Sequence, residues 1–204
     1  MERLSLGIIA FSVEPEFIEM TQRAIDSYRK ADEIIVVENG PHHEYTGVDT
    51  YIRFSENQFF TRPANTILKI SKHPYVAVVN NDTYLLSGNL HDLCIPNTVV
   101  SPLITTQPEI GPFVGSFFVI PKTVQETIGY LDEDLKLYYS DTDYLTRLSF
   151  NGVNCQKNES VKVYHHIGTS TRHIDRKDLQ EKFGGALAEG GGDQVKYHKK
   201  YGID

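Results

Sequence analysis

The sequence has only two cysteines, Cys94 and Cys155, far apart and outside any CxxC spacing. That pattern suggests neither a zinc site nor a disulfide framework, and it makes a reducing, cytoplasmic compartment the expectation. No apolar stretch approaches the roughly 20 residues that span a bilayer, so no membrane span is expected. The opening MERLSLGIIAFSVEPEF carries a short apolar run before charge returns, and it reads as a first strand, not a signal peptide. A basic excess is also missing: 20 Lys and Arg stand against 27 Asp and Glu, a net charge of −7. Broad electrostatic contact with nucleic acid or anionic membrane is disfavoured on that count, although a local basic strip from Lys196 to Lys200 keeps nucleic acid open. Neither a P-loop nor a GxGxxG after a strand occurs, so the two commonest phosphate cradles are absent. If the ligand is a phosphate, something other than bulk charge must hold it.

What is present is ordinary for one globular domain. The chain has 204 residues, with 40% hydrophobic and 23% charged content, too apolar for a disordered segment. No internal repeat or composition break demands a second domain. Short apolar runs predict strands at Leu4 to Phe11, Ile34 to Val37, Tyr51 to Phe54 and Tyr75 to Val79. Helical spacing follows Pro15 and Pro63. This alternation predicts an α/β fold with a mainly parallel sheet and helices on both faces. Beyond it, strands are predicted at Thr98 to Leu103, Phe113 to Ile120 and Val161 to His166. Short helices are expected after Pro121 and from Ser140 or Asp141 to Asn151. Ligands of such sheets gather beyond the carboxyl ends of the strands, where Ser12, Glu38-Asn39 and the Asn80–Asp82 turn should share one crevice.

Several blocks resemble family 2 glycosyltransferases, closest to the rhamnosyltransferase-like branch. They run in order: EIIVVENG at 33–40; ENQFF at 56–60 with Asn65 beyond it; VVNNDT at 78–83; Gly115; GYLDE at 129–133; YSDTD at 139–143 with Arg147 and Gly152; and VYHHIGTS at 163–170. The resemblance implies a GT-A (Rossmann-like) fold over residues 1–174, with a helical, glycine-rich tail at 175–204 as part of the same domain and a possible lid. It implies a metal-dependent, inverting hexosyl transfer from a nucleotide-diphosphate sugar donor to a glycan, protein or other hydroxyl acceptor. Two alternatives stay open: a non-catalytic nucleotide-sugar or glycan-binding protein, or a phage-type DNA-base glycosyltransferase.

The resemblance also distributes roles. Asp82 stands where the family's DxD motif has its last aspartate, with Asn80 replacing the first, and His165 matches a histidine near the diphosphate. Together they would hold Mn²⁺ or Mg²⁺, which answers how an acidic chain keeps a diphosphate. Asp141 is the candidate general base, with Ser140 where the family usually has Glu. Ser12, Glu38, Asn57, Arg62, Asn65, Asn81 and Asp143 are the candidate donor-binding residues, and Arg172 is a further possible diphosphate contact. Asp143 also reads as an ordinary i,i+4 partner of Arg147. Phe59 replaces a family glycine, and Tyr201 stands where relatives often carry Trp.

Overall fold

The computed structural model describes residues 2–166 and 192–203 of the chain. Arg172 and the glycine-rich stretch at 175–191 lie outside the described residues. Eight strands form one sheet: β1 (Leu4–Ala10), β2 (Glu33–Glu38), β3 (Thr50–Arg53), β4 (Tyr75–Asn80), β5 (Thr83–Ser87), β6 (Thr98–Ile104), β7 (Phe117–Pro121) and β8 (Asn154–His165). Among the described residues five α-helices accompany them: α1 (Pro15–Ser27), α2 (Thr61–Ile70), α3 (Lys122–Ile128), α4 (Ser140–Phe150) and α5 (Gly192–Tyr201). The strand order is β3-β2-β1-β4-β7-β6-β8-β5. Pairing is parallel from β3 to β4 and between β6 and β8, and antiparallel at β4–β7, β7–β6 and β8–β5. The architecture is the mixed, mainly parallel α/β sheet expected.

Every residue of β1 and β2 is buried, as a parallel strand covered on both faces requires. Alternation sorts the β1 side chains between two cores. Leu4, Leu6, Ile8 and Ala10 meet Ala24 and Ile25 of α1 and Tyr28 just beyond its end. On the other face Ile9 joins Ile35, Val37, Ala64, Ile67 and Leu68, together with Tyr144 and Leu148 of α4. Gly7 is what lets α2 approach. A Cβ there would stand 2.2–2.8 Å from three Ile67 side-chain carbons, so any larger residue drives the helix off the sheet.

Three local expectations are corrected. The strand expected over Phe113 to Ile120 is β7, starting only at Phe117. Phe113 and Val114 are buried as loop residues, with Phe117 N–H turning back onto the Val114 carbonyl at 3.1 Å. The last strand starts seven residues before Val161, because β6 pairs along its polar first half from Asn154. β5 was not expected at all; it reverses after the Asn81-Asp82 turn and pairs with β8, Thr83 opposite His165. That pairing brings the far edge of the sheet back over α1, where the buried Tyr28 hydroxyl bonds Thr83 Oγ1 at 3.0 Å. Among the described residues, no helix is long and apolar enough to cross a membrane.

Candidate active site

Parallel register sets the ends of three strands level. Ala10 pairs with Glu38, and Ile9 with Asn80. The chain leaving each strand is then tied to its neighbour: Asn39 N–H donates to the Ala10 carbonyl at 2.8 Å and Asn81 N–H to the Ile9 carbonyl at 3.1 Å. One edge of the sheet therefore collects Ser12, Glu38, Asn81 and Asp82.

Ser12, Glu38 and Asn81 form a single buried network. Glu38 Oε1 accepts from Ser12 N–H at 3.0 Å and Gly40 N–H at 2.8 Å, and its Oε2 accepts from the Tyr45 hydroxyl at 3.2 Å. Ser12 Oγ lies 2.5 Å from the Tyr45 hydroxyl and 3.4 Å from Thr21 Oγ1, and Asn81 Nδ2 donates to the same Thr21 oxygen at 2.9 Å. Burial, with the Glu38 charge adding to it, pushes the Tyr45 phenol up to about 12, so it stays a neutral donor. Glu38 is fully buried with both oxygens engaged. It shapes the loop after β2 through these bonds. Thr21 and Tyr45 were missed by the sequence reading, since neither lies in a motif block.

Asp82 and His165 come together as expected. Thr83 opposes His165 in the β5–β8 ladder, and His166 N–H donates to the Asp82 carbonyl at 2.9 Å. Asp82 Oδ1 then lies 3.4 Å from His165 Nε2. The carboxylate is only 5% exposed, yet Oδ1 has no hydrogen-bond partner among the described residues, and neither has the buried His165 Nδ1. Buried polar atoms are normally satisfied, so an orphaned carboxylate oxygen beside an imidazole needs a reason. No group of three or more His, Cys, Asp and Glu that could hold a metal occurs among the described residues. The pair nevertheless fits a hard divalent ion that draws its other ligands from phosphate oxygens and water.

Asp141 stands half-buried in the first turn of α4. Asn80 N–H bonds the Ser116 carbonyl at 3.0 Å, which ties the end of β4 to the Gly115-Ser116 turn. Asp141 packs against that turn so closely that a Cβ on Gly115 would lie 2.8 Å from its Oδ2. Its Oδ1 accepts from Thr142 N–H at 2.8 Å. Burial pushes the Asp141 carboxyl above the ordinary value, overriding the hydrogen bonds that would lower it. The preceding Tyr139 is left-handed, with φ of 59°, a conformation non-glycine residues rarely adopt.

The remaining candidates lie elsewhere. Asn57 Oδ1 accepts from Phe59 N–H at 2.8 Å, shaping a turn in which Phe59 has φ of 60°. The left-handed backbone explains why a glycine would suit that position. Asn39, expected at the crevice, braces the same turn: Nδ2 donates to the Phe59 carbonyl at 2.8 Å and Oδ1 accepts from Gln58 N–H at 3.0 Å. Asn57 and Arg62 line a separate cleft of about 360 Å³ with Phe59, Glu133 and Lys136. Arg62 bonds Gln58 Oε1 at 3.0 Å. Asn65 is buried and exchanges hydrogen bonds of 2.9 Å with both backbone groups of Leu131, and it donates to Glu133 at 3.0 Å. It ties down a loop. Asp143 is fully buried, with Arg147, Lys200 and Tyr201 on its two oxygens. It anchors α5 and lines neither cleft described for this structure.

No family model matches the sequence, and no curated protein matches it. Solved structures do match in fold. A mannosyltransferase, PcManGT from Pyrobaculum calidifontis, solved in complex with GDP-Man and Mn²⁺, superposes with a TM-score of 0.61 at 13% identity over 81% of this chain and 57% of its own. TarS from S. aureus gives 0.58 at 14% identity, over 81% of this chain and 37% of its own. A shorter TarS structure, residues 1–349 in complex with UDP, gives 0.56 at 13% identity, over 79% and 60%. The chain thus spans between about a third and three-fifths of the length of these neighbours. The fold is GT-A-like, a Rossmann-related α/β sheet shared with a mannosyltransferase.

Proposed function

We propose that the chain is a metal-dependent glycosyltransferase that moves a sugar from a nucleotide-diphosphate donor to an acceptor hydroxyl with inversion. The observation that carries this reading is the orphaned Asp82 Oδ1 beside His165 at the carboxyl edge of a GT-A-like sheet, with the half-buried Asp141 carboxylate packed on the Gly115-Ser116 turn that is tied to the end of β4. Asp82 and His165 would hold Mn²⁺ or Mg²⁺, which when bound offsets charge on the departing diphosphate. Asp141 takes the proton of the acceptor hydroxyl as that oxygen bonds the anomeric carbon. The bond from that carbon to the phosphate oxygen breaks on the opposite face, and one displacement inverts the centre. A carboxylate with a raised pKa holds a transferred proton better than an exposed one, which suits a general base.

A thermal-shift screen of nucleotide sugars with and without Mn²⁺ tests the donor half. A ligand at a hundred times its Kd adds about 2.7 kcal/mol, or roughly 5–10 °C in a chain of this size. The wild type should show that rise for one nucleotide class with Mn²⁺ present, and Asp82→Asn should lose the Mn²⁺-dependent part. An equal rise in Asp82→Asn removes Asp82 from the metal site.

Gly115 offers an independent check on Asp141. Gly115→Ala forces the carboxylate aside, and a misplacement of about 1 Å can cost roughly 10²-fold in rate. We expect kcat to fall by that order with KM for the donor little changed. A variant with wild-type kcat places the base elsewhere.

A second reading, binding without turnover, is favoured by Ser140. Its buried hydroxyl has no partner among the described residues, where the family carries a second acid. Donor hydrolysis with Mn²⁺ separates the two, since a binding protein gives none.

A further inference from the structure

Beside Asp82 a cleft of about 200 Å³ opens between α1 and the β5 edge, and Glu16, Glu19, Arg23, Tyr84 and His166 line it. Glu19 and Arg23 stand four apart on α1, the spacing and order at which an ion pair normally forms. They do not pair. The Arg23 guanidinium lies instead 3.7 Å from the centre of the Tyr84 ring. Tyr84 stacks on Tyr164 at 5.0 Å and 24°, and the His166 edge braces Tyr164 at 4.9 Å. Stacking fixes the plane of the guanidinium and leaves its N–H edge without a carboxylate among the described residues. The cleft wall also holds Asp82, nine-tenths buried, with its unpartnered Oδ1.

We propose that this cleft is an acceptor subsite for one neutral, hydroxyl-rich ring, and hence that the acceptor is a glycan. The inference rests on the transferase reading for its position beside the reaction centre. Its chemistry comes from the wall. Carboxylates only accept hydrogen bonds and a guanidinium only donates. A sugar hydroxyl does both, so neighbouring hydroxyls satisfy Glu19 and Arg23 together. A phosphate would meet Arg23 but also face Glu16 and Glu19. A cation would meet those carboxylates but find Arg23 fixed over Tyr84. The volume is below the 300–1,000 Å³ typical of drug-sized ligand sites, in keeping with a single ring.

The test is binding of the full chain to an array of neutral oligosaccharides, with calorimetry on the strongest hit. At least one neutral glycan should bind, and Arg23→Ala and Glu19→Gln should each weaken it tenfold or more. Both side chains are exposed, so the variants should melt with the wild type. The subsite is overturned if no glycan binds, if both variants bind within twofold of wild type, or if pyrophosphate displaces the glycan through Arg23, which marks an anion site. Wild-type protein that hydrolyses donor yet binds no glycan loses the subsite and keeps the transferase reading. Glycan binding without donor turnover does the reverse.

Discussion

Asp141→Asn should lose activity and gain stability at once. Removing a general base costs about 10²–10⁴-fold in turnover, and the neutral isostere keeps the acceptor oxygen that Thr142 N–H bonds in the wild type. The stability gain follows from the pKa. Burial raises the Asp141 carboxyl in the fold above its unfolded value of about 3.9. A group raised on folding favours the fold fully below its unfolded pKa, and that contribution is lost as pH rises through the folded pKa. At neutral pH the wild type therefore carries a destabilising ionised carboxylate and Asn does not. We expect a gain on the order of 1 kcal/mol at pH 7, as functional-site replacements often give, shrinking to nothing below about pH 4. The same shift places the acid limb of the wild-type pH–rate profile above the ordinary carboxylate range. Urea denaturation of both proteins at pH 4 and pH 7 reads the first effect, and kcat/KM against pH the second. A stability difference that is absent, or equal at both pH values, removes the burial argument; full turnover removes the base.

What the sequence disclosed depended on how local each cause is. β1, β2 and β4 are buried on both faces, so they read as continuous apolar runs closed by Asn39-Gly40 or Asn80-Asn81. β5 gave no such signal. Thr83–Ser87 is five residues long, and its pairing with β8 sets Thr83 opposite His165, 82 positions further along the chain. The first half of β8 reads CQKNES, a polar stretch that is a strand only because β6 lies beside it.

The candidate site divides in the same way. Asp82, Asp141 and His165 were found because they stand in motif blocks whose order resembles a family, while their distance in space was not legible. Motif membership said less about what each side chain does. Glu38, Asn65 and Asp143 stand at family positions, yet all three are buried and spent on internal hydrogen bonds. Thr21 and Tyr45 lie at no chemically telling spacing, and only the fold brings them onto Ser12. The acidic balance gains a sharper meaning from this. Of the carboxylates at this edge, Glu38 is satisfied by three donors, and Asp82 alone has a buried oxygen without one.

Asp143→Ala should be the most destabilising of these substitutions and should release α5. Asp143 Oδ2 bonds Arg147 Nε at 2.9 Å, while Oδ1 takes the Tyr201 hydroxyl at 2.8 Å and Lys200 Nζ at 2.7 Å. Burial alone would lower the Lys200 ammonium, but its bonds to Asp132 and Asp143 leave it raised and charged. Burial, with Asp143 beside it, pushes the Tyr201 phenol up to about 12. Removing the carboxylate leaves Arg147 with backbone carbonyls only and Lys200 with Asp132 alone, and breaking a buried pair on one side typically costs about 3–5 kcal/mol. The helix has a second tether, Asp193 Oδ2 accepting from Leu137 and Tyr138 N–H at 3.0 and 3.2 Å, so α5 should loosen without the sheet unfolding. The ring of left-handed Tyr139 packs on Tyr197 and His198 of α5, at 5.3 and 6.1 Å. Releasing α5 thus removes support from the turn that carries Asp141, and turnover should fall even though Asp143 touches no substrate. Amide exchange separates anchoring from donor binding. An anchor predicts faster exchange over 192–201 and at Tyr139, with KM for the donor unchanged. A donor ligand predicts a raised KM and unchanged exchange, and that result would restore Asp143 to the binding site.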